Sequence, residues 1–102
     1  MTEEQFYQIT EWQDKTFPKA TSLSKLYHLE QEIKELKESI TNINHGNTWL
    51  EFADCFLLLY GAAGKYGLSF EDIHHAIAEK FEINKKRNWG TPDENGVVNH
   101  VK

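Results

Sequence analysis

The chain of 102 residues has a mass of 11.9 kDa, which predicts one domain, 1–102, and leaves no room for a second. Its 16 acidic and 11 basic residues give a formal net charge of −5, which argues against a protein that binds nucleic-acid polymers through a basic surface. A single cysteine, Cys55, excludes an internal disulfide framework and a CxxC zinc site. The acidic first residues are unlike a signal peptide, and the longest apolar run, 55–60, is too short to span a membrane. We therefore expect a soluble, cytoplasmic protein.

The first half of the chain predicts two helices. The first covers about 2–16 and is stopped by Pro18. The second covers about 22–44, with Gly46 as a stop. Its apolar positions alternate three and four residues apart, which is the spacing of a heptad seam. The seam consists of Leu26, Leu29, Ile33, Leu36, Ile40 and Ile43.

The second half predicts two more helices, so the fold class is all-α, a four-helix bundle. The third covers 48–66 and ends at Gly67, and the fourth runs from Ser69 to about Asn88, with Asp72 closing a capping box. Residues 89–102 form a turn and a tail, marked by Gly, Pro and Asn. The short connection 41–47 makes the second and third helices antiparallel neighbours.

The third helix is apolar or small almost all the way round. Such a helix is normally surrounded by protein, and three other helices in so small a chain can hardly enclose it. We therefore expect the chain to form a homodimer or homotetramer through this helix.

Two pairs of acidic residues are placed to face each other across the second and third helices. Glu51 and Asp54 lie three residues apart in the apolar helix, and Glu32 and Glu35 have the same spacing beside the seam. Buried carboxylates need cations or protons, and four of them without His or Cys suit Mg²⁺, or Mn²⁺, better than zinc or copper. Glu38 faces solvent.

The fourth helix carries cations and an amide along one stripe, formed by Lys80, Asn84 and Arg87. A row of this kind beside a carboxylate–metal site is suited to the oxygens of a polyphosphate. Cys55, in an apolar context without a nearby histidine, is interpreted as a core residue rather than a nucleophile.

These residues resemble the ExxE…ExxD signature of the MazG-like all-α nucleoside triphosphate pyrophosphohydrolases, and in particular their dATP/dGTP pyrophosphohydrolase-like subgroup. The motif is Glu32-x-x-Glu35 followed by Glu51-x-x-Asp54. The surrounding sequence also resembles this family, in the segments HLEQEIKEL, EFADCFLLLYGAAGKYGLSFEDI and KFEINKKRNWGTPDENGVVNHV. The resemblance covers about residues 12–101.

The resemblance implies an enzyme that cleaves nucleoside triphosphates between the α and β phosphates, giving a monophosphate and pyrophosphate. It implies metal ligation by the four acidic residues, with Glu32 or Glu35 orienting the attacking water. Many relatives carry a further Glu where this chain has Gln31, which puts a second metal in doubt. The remaining implied roles are phosphate binding by Lys80, Asn84 and Arg87, an approach to the base by Trp12 and Gln13, and closure over the site by Trp89.

Two other interpretations compete with this one. A di-iron carboxylate bundle would use Glu71-x-x-His74, or the similar Asp72-x-x-His75, but only this one helix offers such a motif. A non-catalytic helical interaction module, or an inactive relative, would explain the seam but not the acidic pair in the apolar helix. A stabilising response to Mg²⁺ or Mn²⁺ would separate the metal site from the module.

Overall fold

The computed structural model describes residues 1–42 and 46–102, and within these the fold is helical. The helices are α1 (Glu3–Thr16), α2 (Ser22–Thr41), α3 (Thr48–Tyr66) and α4 (Phe70–Lys85), followed by two short strands, β1 (Asn88–Trp89) and β2 (His100–Val101). By its internal packing the chain divides into two compact units, Met1–Glu71 and Asp72–Lys102. The predicted all-α class with four helices is confirmed. None of the helices in the described ranges combines the length and the apolar character that crossing a membrane requires.

The helix boundaries follow from local chemistry. Thr2 and Thr21 each accept a hydrogen bond from the backbone N–H three residues later, and the side chain at that third position accepts one in return. Gly67 ends α3 with φ of 112°, a left-handed conformation that glycine adopts without steric cost. The starts of α1 and α2 and the end of α3 therefore fall where the sequence placed them.

The end of α4 differs from the prediction, and the predicted end of α2 is not tested. The predicted end of α2 includes Ile43 and Asn44, which lie outside the described residues. The fourth helix ends at Lys85 and does not reach Asn88, because the chain turns and residues 88–89 pair antiparallel with residues 100–101. The indole N–H of Trp89 donates to the backbone carbonyl of Asn84 at 2.9 Å, so a side chain satisfies an acceptor in the last turn of the helix.

Helices α2 and α3 form the predicted antiparallel pair. Near the start of α2, the Ser22 hydroxyl donates to the backbone carbonyl of Ala62, late in α3, at 2.8 Å. Near the end of α2, the Ser39 hydroxyl shares a hydrogen bond with the Thr48 hydroxyl at the start of α3. Because each end of one helix is tied to the opposite end of the other, the two helices are held in one register along their length.

The face of α2 that packs against the other helices of the chain is not centred on the predicted seam. Its buried and half-buried positions are Ser22, Lys25, Leu29, Glu32, Leu36 and Ser39, again three and four residues apart. Leu26, Ile33 and Ile40 are 37, 38 and 58% exposed. Only Leu29 and Leu36 of the described seam belong to both sets. Only one edge of the apolar stripe of α2, at Leu29 and Leu36, therefore packs against the other helices. The rest of the stripe is an exposed apolar surface.

The first helix is anchored by one aromatic and one amide side chain. Phe6 is 2% exposed, and its ring lies edge-on to Tyr60 and tilted against Phe70. The buried amide of Gln13 donates from Nε2 to the backbone carbonyl of Leu57 at 3.2 Å. Its Oε1 accepts from the Lys25 ammonium at 3.3 Å, so this one side chain joins α1, α2 and α3.

A methyl group at Gly61 should test how tightly Gln13 is held. A Cβ built at Gly61 would lie 2.3 Å from Oε1 of Gln13 and 3.0 Å from its Cδ. Helix propensity alone favours Ala by about 1 kcal/mol. We expect Gly61→Ala instead to lower the free energy of unfolding by about 1–3 kcal/mol, because Gln13 must leave a site where it accepts from a buried lysine. Urea denaturation measures this change.

Gly64→Ala is the matched control, because its Cβ would meet the Thr10 methyl at 3.3 Å and the Phe6 ring at 3.5 Å, a tight but tolerable approach. It should be close to neutral. In a Gln13→Ala background, Gly61→Ala should lower the free energy of unfolding much less than it does in the wild type. Equal losses from Gly61→Ala with and without Gln13 would contradict the assignment of the clash.

Candidate metal centre

Three carboxylates converge between α2 and α3. One oxygen from each of Glu32, Glu35 and Glu51 lies within 4.8 Å of the other two. The two residues of α2 are three positions apart and so share a side of the helix, and Glu51 reaches them from the first turn of α3. The structure therefore brings together three of the four predicted ligands.

The pKa of Glu32 is raised by its surroundings. Desolvation by burial is the largest cause that raises its pKa above the usual value, and the neighbouring Glu35 carboxylate adds to it through its charge and a hydrogen bond. The charge of Asp54 raises the pKa of Glu32 further, whereas His28 lowers it. Nε2 of His28 lies 3.3 Å from a Glu32 oxygen, one helical turn away. The clustered negative charge thus favours either a proton or a cation at this position.

Asp54 stands apart from the group of three. It is exposed, and its carboxylate is not among the oxygens that meet within 4.8 Å. Its charge nevertheless reaches Glu32. Asp54 therefore contributes to the negative potential of the site, and its predicted role as a direct ligand stays a prediction.

Cys55, in α3, is affected by the same negative charges. It is half-buried, and burial raises the pKa of its thiol, with further increases from the charges of Glu32, Asp54 and Glu51. A raised pKa disfavours the thiolate that a nucleophilic cysteine requires. The environment therefore agrees with the interpretation of Cys55 as a packing residue.

The donor set fits a hard divalent cation. Carboxylate oxygens suit Mg²⁺ or Mn²⁺, and the raised pKa of Glu32 is what a cation in this position would offset. Within residues 1–42 and 46–102, no comparable group of His, Cys, Asp or Glu forms around Glu71 and His74. The di-iron interpretation therefore gains no support from the described part of the chain.

The predicted phosphate-binding row lies in the second unit and is less regular than expected. Lys80 is exposed on α4, whereas Arg87 comes after the helix has ended and is not on the same helical stripe. Nη1 of Arg87 instead donates to the side-chain oxygen of Asn84 at 3.5 Å. Trp89 is 48% exposed in β1. The binding roles of these residues stay predictions.

Gln13 lines two neighbouring pockets, and Trp12 lines one of them. Trp12, 60% exposed and edge-on to Phe17, lines an open pocket of about 230 Å³ with Gln13 and Leu57. Gln13 and Phe17 also line a second pocket of about 160 Å³, together with Lys25 and other residues of α2 and α3, including His28.

Sequence reasoning missed Lys25 and His28. His28 carried a usable signal, because it lies four residues before Glu32 and hence on the same helix face. Lys25 carried no such signal, because a lysine beside a seam is normally solvated. Its burial depends on where α1 packs.

Comparisons with known proteins identify a family and relatives that this chain resembles. A sequence model of the dATP/dGTP pyrophosphohydrolase family matches residues 6–102. A dATP/dGTP diphosphohydrolase of Salmonella phage PMBT28 is 36% identical over 93 residues, which are 91% of this chain and 29% of that protein. The Eaa protein of Salmonella phage P22 is 43% identical over 53 residues, 52% of this chain and 17% of that protein. The chain thus spans less than a third of the length of these relatives.

A solved structure covers the whole fold. The MazG-like pyrophosphohydrolase of cyanophage S-2L, bound to dGDP and three catalytic Mn²⁺ ions per active site, is 27% identical with a TM-score of 0.78. The alignment covers 100% of this chain and 99% of that one. The family match covers nearly the whole sequence, and the resemblance expected from the ExxE…ExxD spacing is confirmed. The chain belongs to the dATP/dGTP pyrophosphohydrolase family.

Proposed function

We propose that this chain hydrolyses deoxynucleoside triphosphates between the α and β phosphates, with release of the nucleoside monophosphate and pyrophosphate. The observation that carries this proposal is the group of Glu32, Glu35 and Glu51, whose oxygens lie within 4.8 Å of one another. Two features of relatives support it: the activity named for the Salmonella phage protein, and the nucleotide and Mn²⁺ bound by the cyanophage enzyme.

The three grouped carboxylates would hold a divalent cation, Mg²⁺ or Mn²⁺, with Asp54 adding negative charge beside them. A bound cation of this kind lowers the pKa of its water and offsets charge on the phosphates. The chain's own part is positioning. Glu32 or Glu35 orients the attacking water, and His28, 3.3 Å from Glu32, fixes the direction of that carboxylate.

The remaining residues of the proposal bind the rest of the substrate. Lys80, Asn84 and Arg87 would donate to phosphate oxygens and neutralise the leaving pyrophosphate. Trp12 and Trp89 would contact the nucleoside, for which the exposed indole of Trp12 beside a pocket is suited. A cytoplasmic location, expected from the sequence, stays a prediction.

The proposal includes a homo-oligomer formed through α3. Exposed large apolar side chains follow one another three and four residues apart along this helix, which defines the α3 outer stripe. Its members are Trp49, Phe52, Phe56 and Leu59, at 73, 44, 58 and 52% exposure. Leu26, Ile33 and Ile40 of α2 add a second exposed apolar row. Contiguous apolar surface of this extent favours burial against another protein surface, and the repeated spacing suits a second copy of the same helices.

The experiment is a product assay with the four deoxynucleoside and four ribonucleoside triphosphates, each with Mg²⁺ or Mn²⁺. Pyrophosphate and a monophosphate are the expected products. Orthophosphate and a diphosphate would mean that a different bond is cleaved. No turnover of any of them would favour the helical interaction module or an inactive relative.

A further inference from the structure

The C-terminal hairpin, residues 88–101, is ordered although burial does little to hold it. Its strands have two residues each, and all four of these residues are exposed. A two-stranded hairpin is only marginally stable in water, so specific contacts must offset the chain entropy that it loses. At its tip, one carboxylate oxygen of Asp93 accepts from the backbone N–H groups of Asn95 and Val97 at 2.8 and 2.9 Å. Gly96 takes a φ of 79° there, so the turn is specified by its own sequence.

The hairpin contacts the end of α4 through Trp89. The indole N–H of Trp89 donates to the backbone carbonyl of Asn84 at 2.9 Å, and the Trp89 ring lies edge-on to His100 of the opposite strand. The same carbonyl of Asn84 accepts from the backbone N–H of Arg87 at 3.3 Å. One acceptor in the last turn of the helix therefore joins Arg87 to Trp89, and through Trp89 to the hairpin.

Arg87 lies in the two-residue connection between α4 and β1. It is half-buried, whereas the cations Lys80, Lys85 and Lys86 are exposed. Its Nη1 donates to the side-chain oxygen of Asn84 at 3.5 Å, a long contact that sets the direction of the guanidinium. Because α4 precedes Arg87 and the hairpin follows it, the backbone is held on both sides. A guanidinium donates two parallel N–H groups to a phosphate only when its plane is set in this way.

We propose that Trp89 is a positioning residue, which holds Arg87 in the orientation in which the guanidinium donates to phosphate oxygens of the substrate. The inference rests on the proposed function, which assigns phosphate binding to Arg87. Asn84 keeps its own proposed role, because the oxygen that accepts from Arg87 and the amide N–H groups that donate to phosphate are different atoms. The face of the Trp89 ring is likewise separate from its N–H, so a nucleoside contact does not interrupt the bond to Asn84.

The test is a double-mutant cycle of Trp89→Phe and Arg87→Met, in which Phe keeps a ring but lacks the indole N–H. We expect Trp89→Phe to lower kcat/KM for dGTP about tenfold, and Arg87→Met about tenfold to a hundredfold. In the Arg87→Met background, Trp89→Phe should have an effect below about twofold, because Arg87 is then no longer there to be positioned. Lys86→Met, at an exposed neighbouring cation, is the matched control and should change kcat/KM by less than about threefold. A lost ring contact with the nucleoside, or poorer folding, would instead lower kcat/KM by the same factor in both backgrounds, and that result would overturn the proposal.

Hydrogen exchange of the indole N–H tests the contact in the unaltered protein and so does not depend on how a variant folds. The NMR signals of Trp89 and Trp12 are assigned by their loss in Trp89→Phe and Trp12→Phe. The Trp12 side chain is 60% exposed and is the reference for an indole at the surface. We expect the Trp89 N–H of the wild type to exchange about tenfold more slowly than that of Trp12. Equally fast exchange of both would overturn the proposal.

Binding of inorganic pyrophosphate separates this inference from the proposed function. Calorimetric titration of the same four proteins with pyrophosphate and Mg²⁺ needs no turnover. Binding that Trp89→Phe weakens only when Arg87 is present supports the role of Trp89 even if no triphosphate is hydrolysed. Hydrolysis of triphosphates in which Trp89→Phe has the same effect with and without Arg87 overturns the role of Trp89 and leaves the proposed function standing. A wild type that neither hydrolyses triphosphates nor binds pyrophosphate would overturn both.

Discussion

Replacing Glu32 by Gln is expected to abolish hydrolysis and the stabilisation of the fold by Mg²⁺ or Mn²⁺ together. Glu32 is one of the three carboxylates whose oxygens meet within 4.8 Å, and its pKa is raised above the usual value. An amide keeps the shape of the side chain but removes its charge. We expect kcat to fall at least roughly a hundredfold, since the charge stabilisation supplied by a bound cation amounts to several kcal/mol.

The same variant should be more stable than the wild type when no divalent cation is present. Burial and the charge of Glu35 raise the pKa of Glu32 above its unfolded value, so the ionised carboxylate destabilises the folded state at neutral pH. As the pH falls through the folded pKa towards the unfolded value of 4.5, the folded state takes up the proton first and the wild type recovers. The difference in melting temperature between Glu32→Gln and the wild type should therefore be largest at neutral pH and should disappear as the pH is lowered.

Thermal melting of both proteins at several pH values, with and without millimolar Mn²⁺, measures these effects. In the wild type, Mn²⁺ should raise the melting temperature by mass action on the folded state, and Glu32→Gln should lose the shift. Glu38→Gln, at an exposed position of α2, is the matched control and should keep both activity and the shift. A full Mn²⁺ shift in Glu32→Gln would contradict the placement of the cation.

Phe56→Glu is expected to convert the proposed homo-oligomer into a monomer. Phe56 lies in the middle of the α3 outer stripe and is 58% exposed in the single chain. If a second copy covers this stripe, the substitution buries an unpaired charge at the interface. A cost of about 3–5 kcal/mol raises the dissociation constant roughly a hundredfold to several thousandfold. Sedimentation velocity over a range of protein concentrations measures the change.

The control for this variant is Phe81→Glu, the same replacement at 60% exposure on α4 and outside the stripe. It should leave the sedimentation coefficient unchanged. Circular dichroism should show that both variants keep their helices, because neither side chain is buried in the single chain. A wild type that sediments as a monomer at all concentrations would contradict the proposed interface.

The sequence was most informative where the cause of a structure is local. The threonine caps of α1 and α2 and the glycine at the end of α3 act within one helical turn, so those boundaries were predictable. The end of α4 was not, because it depends on pairing between residues 88–89 and 100–101, which lie far apart along the chain and show no alternating pattern.

The candidate site shows the same division. The spacing of Glu32, Glu35 and Glu51 predicted their convergence, since helix periodicity sets which side chains share a face. Periodicity did not reveal that the buried face of α2 is rotated about the helix axis relative to the centre of the heptad seam. That rotation places Lys25 inside and Ile40 outside, and it follows from how α1 and α3 pack rather than from α2 alone.

The antiparallel pairing of α2 and α3 has a consequence for the order of folding. All three grouped carboxylates belong to this one helical hairpin, so the proposed cation site needs only contacts between residues close in sequence. Local contacts of this kind form early, because closing a short loop costs little chain entropy. A cation that binds the hairpin in the transition state would lower the barrier to folding itself, rather than only delaying unfolding. The ion would then act as a template for the chain before it serves as a cofactor.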